Sequence, residues 1–150
     1  MNGITLRRAA LEELIDLRHA VLRAGLPRGE AIFPGDGAGT TLHYGAFRDG
    51  EVLCCATLHA SEWEGEPALQ LRGMATSPGA RRSGLGRRVM EFIEEDVRAA
   101  GGPLLWWCNA RVPAVEFYKA MAWSVASEEF VIPTAGPHVR MVRRIVSGGQ

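Results

Sequence analysis

Arg81-Arg82-Ser83-Gly84-Leu85-Gly86-Arg87-Arg88 lies between an apolar, strand-like run ending Met74-Ala75-Thr76 and a long amphipathic stretch, and its reading decides the fold. Two glycines permit a tight turn with amides facing outward, the helix that follows contributes the positive end of its dipole, and four arginines surround the opening. Such a turn is built to hold a phosphate or a diphosphate. The helix expected from Ser83 carries Leu85, Val89, Phe92, Ile93 and Val97 on one side and Arg87, Arg88, Glu91, Glu94, Glu95 and Arg98 on the other, and stops at Gly101-Gly102-Pro103.

Working outward, Ile4 to Arg7 reads as a strand, followed by a helix whose stripe is Leu11, Leu14, Ile15, Arg18, Val21 and Leu22. Ala24 to Thr40 is rich in glycine and proline and has no period, so it reads as a loop, and a loop this long in a compact domain is often functional. Thr41 to Arg48 and Glu51 to Leu58 alternate around Asp49-Gly50, a strong hairpin signal. A charged turn, Glu62 to Pro67, leads to a strand over Ala68 to Thr76, in which Gly73 marks a bend or close backbone approach. Beyond the long helix, Leu104 to Cys108 reads as a strand buried on both faces, and Pro113 opens a short helix with Ala114, Val115, Phe117, Tyr118 and Met121. Strands over Ser124 to Ile132 and Val139 to Val146 close an α/β sheet with helices on its faces, and Ser147 to Gln150 reads as a frayed tail.

Composition narrows the function. A chain of 150 residues, 47% hydrophobic and 23% charged, is expected to form one globular domain, here residues 1–146. Seventeen basic residues balance seventeen acidic ones, so no global field draws the chain to nucleic acid or to a membrane, and the arginine cluster is a local feature. Neither a signal-peptide stretch nor an uncharged run of the roughly 20 residues needed for a span is present, so the expected compartment is the cytoplasm. Cys54 and Cys55 are strand neighbours pointing to opposite faces and Cys108 ends another strand; with His19, His43, His59 and His138 they show no metal-ligand repeat, and no metal is expected.

Met74-Ala75-Thr76-Ser77-Pro78, then Arg81-Arg82-Ser83-Gly84-Leu85-Gly86, then Asn109 to Ala114 and Phe117-Tyr118-Lys119-Ala120-Met121-Ala122-Trp123 resemble the GNAT superfamily of acetyl-CoA-dependent N-acetyltransferases. The family's glycine motif is Gln or Arg, two residues, Gly, one residue, then Gly or Ala, and Arg81, Gly84 and Gly86 satisfy it. The resemblance implies a single-domain fold with a central mixed, mostly antiparallel sheet of about six to seven strands, splayed in the middle and flanked by helices. It also implies that the backbone of Arg81, Arg82, Ser83, Gly84, Leu85, Gly86 and Arg87 grips the coenzyme diphosphate. Met74, Ala75 and Thr76 would line the pantetheine arm through their backbone.

In the family a neutral amine attacks the thioester directly and the coenzyme leaves as a thiolate. Tyr118 occupies the position of the family's proton donor to that sulfur, a phenol of reference pKa near ~10; the other reading is that Phe117-Tyr118 simply packs its helix on the sheet. Gln70 and Arg72 stand where many members carry a glutamate; either a water chain takes the amine proton or a group such as Glu129, His43, His59 or Asp36 does, and no base is singled out. A second departure is Arg111, which replaces the family's asparagine three residues before the alanine. Asn109 lies two residues earlier and either reaches the coenzyme or caps the short helix or its preceding turn, and Arg111 meets either a coenzyme phosphate or solvent.

The acceptor, a small-molecule or peptide amine, is expected between the first helix with its loop and the last strands. There Arg18, Arg23, Arg28, Glu30, Asp36, Glu128, Glu129, His138 and Arg140 have the mixed charge of ordinary solvated side chains. Trp63 reads as a stacking residue or as an exposed loop aromatic. Dimers are frequent in the family, and Val125, Phe130, Ile132, Met141 and Ile145 fit either a homodimer contact or a core face. Two other functions are compatible with the same turn: a non-catalytic acyl-CoA-binding or regulatory domain, and a phosphate-binding module. The last is disfavoured because the dinucleotide fingerprint's third glycine and the P-loop Gly-Lys-Ser/Thr are both missing.

Overall fold

The structure, a computed structural model, describes residues 3–133 and 135–146. The expected tail over Ser147 to Gln150 lies outside the described residues. The chain forms two compact units, Met1–His59 with Arg72–Asp96 and Ala60–Leu71 with Val97–Gln150. The fold is α/β, with a mixed, mostly antiparallel sheet and helices, as expected.

In the first unit, β1 (Thr5–Arg8) pairs antiparallel with β2 (Leu42–Arg48), and β2 with β3 (Glu51–Trp63). The β2–β3 turn is Asp49-Gly50, and φ values of 50° and 79° are the two consecutive positive values of a type I′ turn. A second such turn, Glu64-Gly65 with φ of 49° and 83°, lies in the second unit and joins β3 to β4 (Glu66–Thr76). The charged turn expected over Glu62 to Pro67 is therefore only two residues long. Charged residues there sit on strand ends, which the two-residue I′ geometry permits and composition alone does not reveal.

A short 3-10 turn, Leu11–Glu13, precedes α1 (Ile15–Leu22). Leu14 and Leu17 from this segment pack with Phe47, Cys55 and Ala75, edged by Ala9, Val21, Leu22 and Val52. The long helix α2 (Leu85–Ala99) starts two residues after the expected Ser83 and buries Leu85, Val89, Met90, Ile93 and Val97, each stabilising by roughly 1.5–3 kcal/mol. Phe92, expected on the buried face, is half-buried and meets Tyr44 edge-on at 6.2 Å. Burial and the Asp96 carboxylate, which accepts from the Tyr44 hydroxyl at 2.7 Å, push that phenol's pKa up.

In the second unit, β5 (Leu105–Arg111) pairs parallel with β4 at Leu69–Leu71 against Trp106–Cys108, three rungs in all. On its other side β5 pairs antiparallel with β8 (Gly136–Arg144) from Leu105↔Arg144 to Arg111↔His138. A 3-10 turn over Val112–Ala114 leads into α3 (Val115–Ala120). The single strand expected over Ser124 to Ile132 is two short ones, β6 (Ser124–Val125) and β7 (Phe130–Ile132), both on β8. This break brings the count to eight strands among the described residues. It also divides the core-face reading: Met141 and Ile145 are buried, Phe130 and Ile132 half-buried, and Val125 is 44% exposed. Among the described residues no helix is long and apolar enough to cross a membrane.

Candidate functional site

The glycine turn is built by short-range bonds. After β4, the Ser77 amide donates to Leu53 O at 2.8 Å, and a 3-10 turn over Pro78–Ala80 is closed by the Ala80 amide on Ser77 O at 2.9 Å. The Ser83 hydroxyl donates to Ala80 O at 2.5 Å and the Arg81 Nε to Thr76 O at 3.4 Å, so both side chains clasp the turn. Arg82 and Gly84 take positive φ, 62° and 80°, and the first helical bond of α2 runs from the Arg88 amide to Gly84 O at 3.1 Å. The amides of Leu85, Gly86 and Arg87 therefore head the helix ahead of its hydrogen-bond ladder, the arrangement that receives anions. Of the arginines, Arg81 and Arg82 are exposed, and Arg87 is exposed and leans on Glu91 at 3.4 Å.

Upstream, Gly73 has φ of 65°, and an added Cβ would lie 2.8 Å from Arg18 Nε and 3.2 Å from Phe33 Cε2. The bend expected at Gly73 is thus a left-handed residue that admits another side chain against the strand. Met74 and Thr76 are half-buried and Ala75 is buried. Cys55 Sγ reaches Gly73 O at 3.5 Å and Cys54 Sγ meets Thr76 Oγ1 at 3.3 Å. Burial pushes the Cys54 thiol up to about 11 and those of Cys55 and Cys108 up to about 12. These cysteines are packed strand residues kept protonated at neutral pH, as the sequence implies.

The solvated-side-chain reading is overturned at Arg18 and Asp36. Arg18 is fully buried, and its Nη1 donates to Asp36 Oδ2 at 2.6 Å and to Ala31 O at 3.0 Å. Its Nη2 donates to Thr57 Oγ1 at 2.6 Å and, at 3.4 Å, to Asp36 Oδ1. Asp36 Oδ2 also accepts the Phe33 amide at 2.7 Å, and Oδ1 lies 3.1 Å from His59 Nε2. Thr57 Oγ1 is 2.9 Å from His43 Nδ1, whose Nε2 is 3.0 Å from Asp36 O. The Thr57 and His43 bonds are mutually consistent if His43 carries its proton on Nε2 and Thr57 donates to Nδ1, while Arg18 Nε is buried without a hydrogen-bond partner among the described residues.

Burial alone would raise the Asp36 carboxyl, but the Arg18 guanidinium and the Phe33 amide outweigh it and hold it below its usual value. Burial pushes the His59 imidazole down against the attraction of Asp36, and Arg72 adds to the drop. The sequence offered one signal of this network, an arginine at an apolar position of the α1 stripe. Its partners lie 18 and 39 residues further on, beyond the reach of any local pattern.

Asn109 and Arg111 lie inside β5, not after it, because the strand runs three residues past the expected Cys108. The helix-cap reading of Asn109 is corrected: Ala114 holds the α3 N-cap, and Asn109 pairs with Arg140 in the ladder. Residues two apart share a strand face, so Trp107, Asn109 and Arg111 lie together, half-buried, while Trp106, Cys108 and Ala110 face the core. Asn109 Oδ1 is buried without a hydrogen-bond partner among the described residues. On the same face Arg140 lies 5.8 Å from the Trp107 ring centroid, and Trp63, on β3 and half-buried, packs against Trp107 at 5.7 Å. His138 is buried, not solvated, and its Nδ1 is 2.8 Å from Gly136 O.

Tyr118 is buried in α3, with Phe117 edge-on at 5.2 Å and Trp123 at 5.2 Å. Among the described residues no three His, Cys, Asp or Glu side chains gather as ligands of one ion.

Comparison with known proteins places this geometry. A crystal structure of Escherichia coli ElaA matches with a TM-score of 0.79 and 19% identity over 93% of this chain and 99% of that one. That of an acyl-CoA N-acyltransferase from Pseudomonas aeruginosa matches at 0.75 and 20% identity over the same shares. At these identities the two structures show a shared fold. The uncharacterized N-acetyltransferase YitI of Bacillus subtilis (strain 168) is 28% identical over 142 residues, 91% of this chain and 93% of that protein. The model of the Acetyltransferase (GNAT) family matches residues 11–123, which include α1, the glycine turn, α2 and Tyr118. The chain therefore belongs to the GNAT family of acetyltransferases, enzymes whose cosubstrate is acetyl-CoA.

Proposed function

We propose that residues 1–146 act as one catalytic domain that moves the acetyl group of acetyl-CoA to a primary amine of a small molecule or peptide. The observation that carries this reading is the turn at Arg82 and Gly84, which leaves the amides of Leu85, Gly86 and Arg87 at the head of a 15-residue helix. In this reading those amides, with the backbone from Arg81 to Ser83, hold the coenzyme diphosphate, and the arginine charges tune affinity. The backbone of Met74, Ala75 and Thr76 pairs with the pantetheine arm as an added strand would. Asn109 fits a coenzyme contact because its orphaned Oδ1 costs about 1–3 kcal/mol unless a donor such as an amide N–H meets it. Arg111 shares its face and is assigned to the coenzyme with it.

The amine nitrogen attacks the thioester carbonyl, the C–N bond forms, and the oxyanion collapses with cleavage of the C–S bond. The thiolate takes the Tyr118 phenolic proton, and the proton lost by nitrogen leaves through water. The enzyme acts in the cytoplasm, without nucleic acid as partner, and a homodimer is compatible with exposed Val125 and Val131 on β6 and β7.

The test is an acceptor screen with acetyl-CoA read by thiol release, with Tyr118→Phe beside the wild type. Loss of a general acid lowers kcat about 10²–10⁴-fold with the acetyl-CoA affinity kept. Unchanged turnover of every accepted amine by Tyr118→Phe removes the acid role. Absence of any thermal shift with millimolar acetyl-CoA removes coenzyme binding, since a ligand of the native state must stabilise it.

A further inference from the structure

Phe33, in the loop after α1, collects three cations: the guanidinium carbons of Arg18, Arg23 and Arg72 stand 4.3, 5.0 and 4.7 Å from its ring centroid. One aromatic face attracts a cation only weakly, so three like charges around one ring repel each other unless anions compensate them. Asp36 compensates one, since both its oxygens lie on Arg18. Arg72 is half-buried, and its guanidinium forms no hydrogen bond or ion pair among the described residues. Burial depresses its pKa, and Arg23 and Arg18 depress it further against the attraction of Asp36. The chain as a whole is neutral, so the positive charge of Arg72 is a local feature. Arg72 immediately precedes Gly73 and stands two residues before Met74 on β4, on the strand that leads into the proposed coenzyme segment.

We propose that Arg72, in the field of Arg23 and beside the Phe33 ring, binds the carboxylate of the acceptor, so that the substrate class is an amine carrying a carboxylate. The inference rests on the acetyl-transfer reading and narrows it. A guanidinium presents a planar pair of donors that matches a carboxylate, and a partly desolvated one gains more from the pairing than a solvated one. The same guanidinium opposes polycationic acceptors, whose charges would add to that of Arg72.

The experiment compares kcat/KM, per neutral amine, for amino acids and their α-amides, for peptides with free and amidated carboxyl termini, and for spermidine and an aminoglycoside. The carboxylate forms are expected to be favoured about tenfold to a hundredfold, the range of a charged hydrogen-bonded contact. In Arg72→Gln that preference collapses toward unity, Arg72→Lys restores part of it, and the thermal shift given by acetyl-CoA stays as in the wild type. A preference that survives Arg72→Gln overturns the subsite, as does wild-type turnover of no carboxylate-bearing amine while acetyl-CoA still gives its shift. If acetyl-CoA gives neither a shift nor thiol release with any amine, acetyl transfer itself falls and the subsite with it.

Discussion

Asp36→Ala tests whether the Arg18 network holds the first unit together. In the wild type the Arg18 side chain is 0% exposed and that of Asp36 1%, so neither charge is screened by water. Removing the carboxylate leaves the guanidinium with Ala31 O and Thr57 Oγ1 as neutral acceptors, and takes the acceptor from the Phe33 amide and from His59. Stripping one partner from a buried ion pair costs about 3–5 kcal/mol. Unfolding entropy of about 2.1 cal/mol/K per residue over 150 residues converts 1 kcal/mol to about 3 °C, so the melting temperature should fall by about 10–15 °C. Thermal unfolding followed by circular dichroism, at pH 7.5 and without ligand, measures this. Arg18→Met combined with Asp36→Ala removes both charges and should recover most of the loss, because a well-packed apolar pair is often as stable as the ion pair it replaces. The pH dependence has a definite sign. The folded carboxyl lies below its unfolded value, so its contribution is present above about pH 4 and is lost as pH falls through the folded pKa; Asp36→Ala should lack that acid loss. A drop below about 1 kcal/mol, as for a surface pair, or a double variant no better than the single one, would show that the charge of Arg18 is compensated elsewhere.

Gly73→Ala should destabilise by about 2–4 kcal/mol, since the left-handed backbone costs about 1–2 kcal/mol and the new Cβ strikes Arg18 at 2.8 Å; denaturant unfolding reads it, and a loss within about 0.5 kcal/mol contradicts the close approach. His59 has a depressed folded pKa, so below about pH 6.5 the unfolded chain binds the proton first and stability falls with pH; His59→Gln should flatten that slope in melting curves between pH 7.5 and 5, and an unchanged slope refutes the assignment. Cys54, Cys55 and Cys108 should be silent to a thiol reagent at pH 8 in the native protein and all react in denaturant; fast native labelling of any one contradicts its burial.

The elements with a strict local cause were legible in the sequence. Asp49-Gly50 set the first hairpin because Asp and Gly readily take the consecutive positive φ values of a type I′ two-residue loop, and α2 followed from its apolar spacing. Elsewhere the local signal was ambiguous. Glu62 to Pro67 read as a long turn because charged residues favour loops, yet Trp63 packs on Trp107 and Glu66 pairs with Arg144 at 2.7 Å, contacts that extend both strands. The closing run failed the other way. Ser127 Oγ accepts the Arg140 amide at 2.8 Å and the Ala126 amide bonds Arg140 O at 2.8 Å, so this stretch meets β8 through a bulged connection instead of a ladder.

For the site, the split follows the range of the interactions. Apart from the Ser77 amide on Leu53 O, the glycine turn is bonded within residues 76–88, and its exposed amides follow from local backbone conformation, which a local motif can signal. The acceptor side is different in kind. Arg18 and Asp36 looked like surface charges because a charged residue is usually solvated, and that expectation fails only when partners converge from 31, 33, 36, 57 and 59. The same convergence gives Arg72 its significance. With Asp36 hydrogen-bonded to Arg18, Arg72 beside the same Phe33 ring is left without a hydrogen-bonded anion among the described residues. It is that arrangement, not the count of charged residues, on which the proposed carboxylate subsite rests.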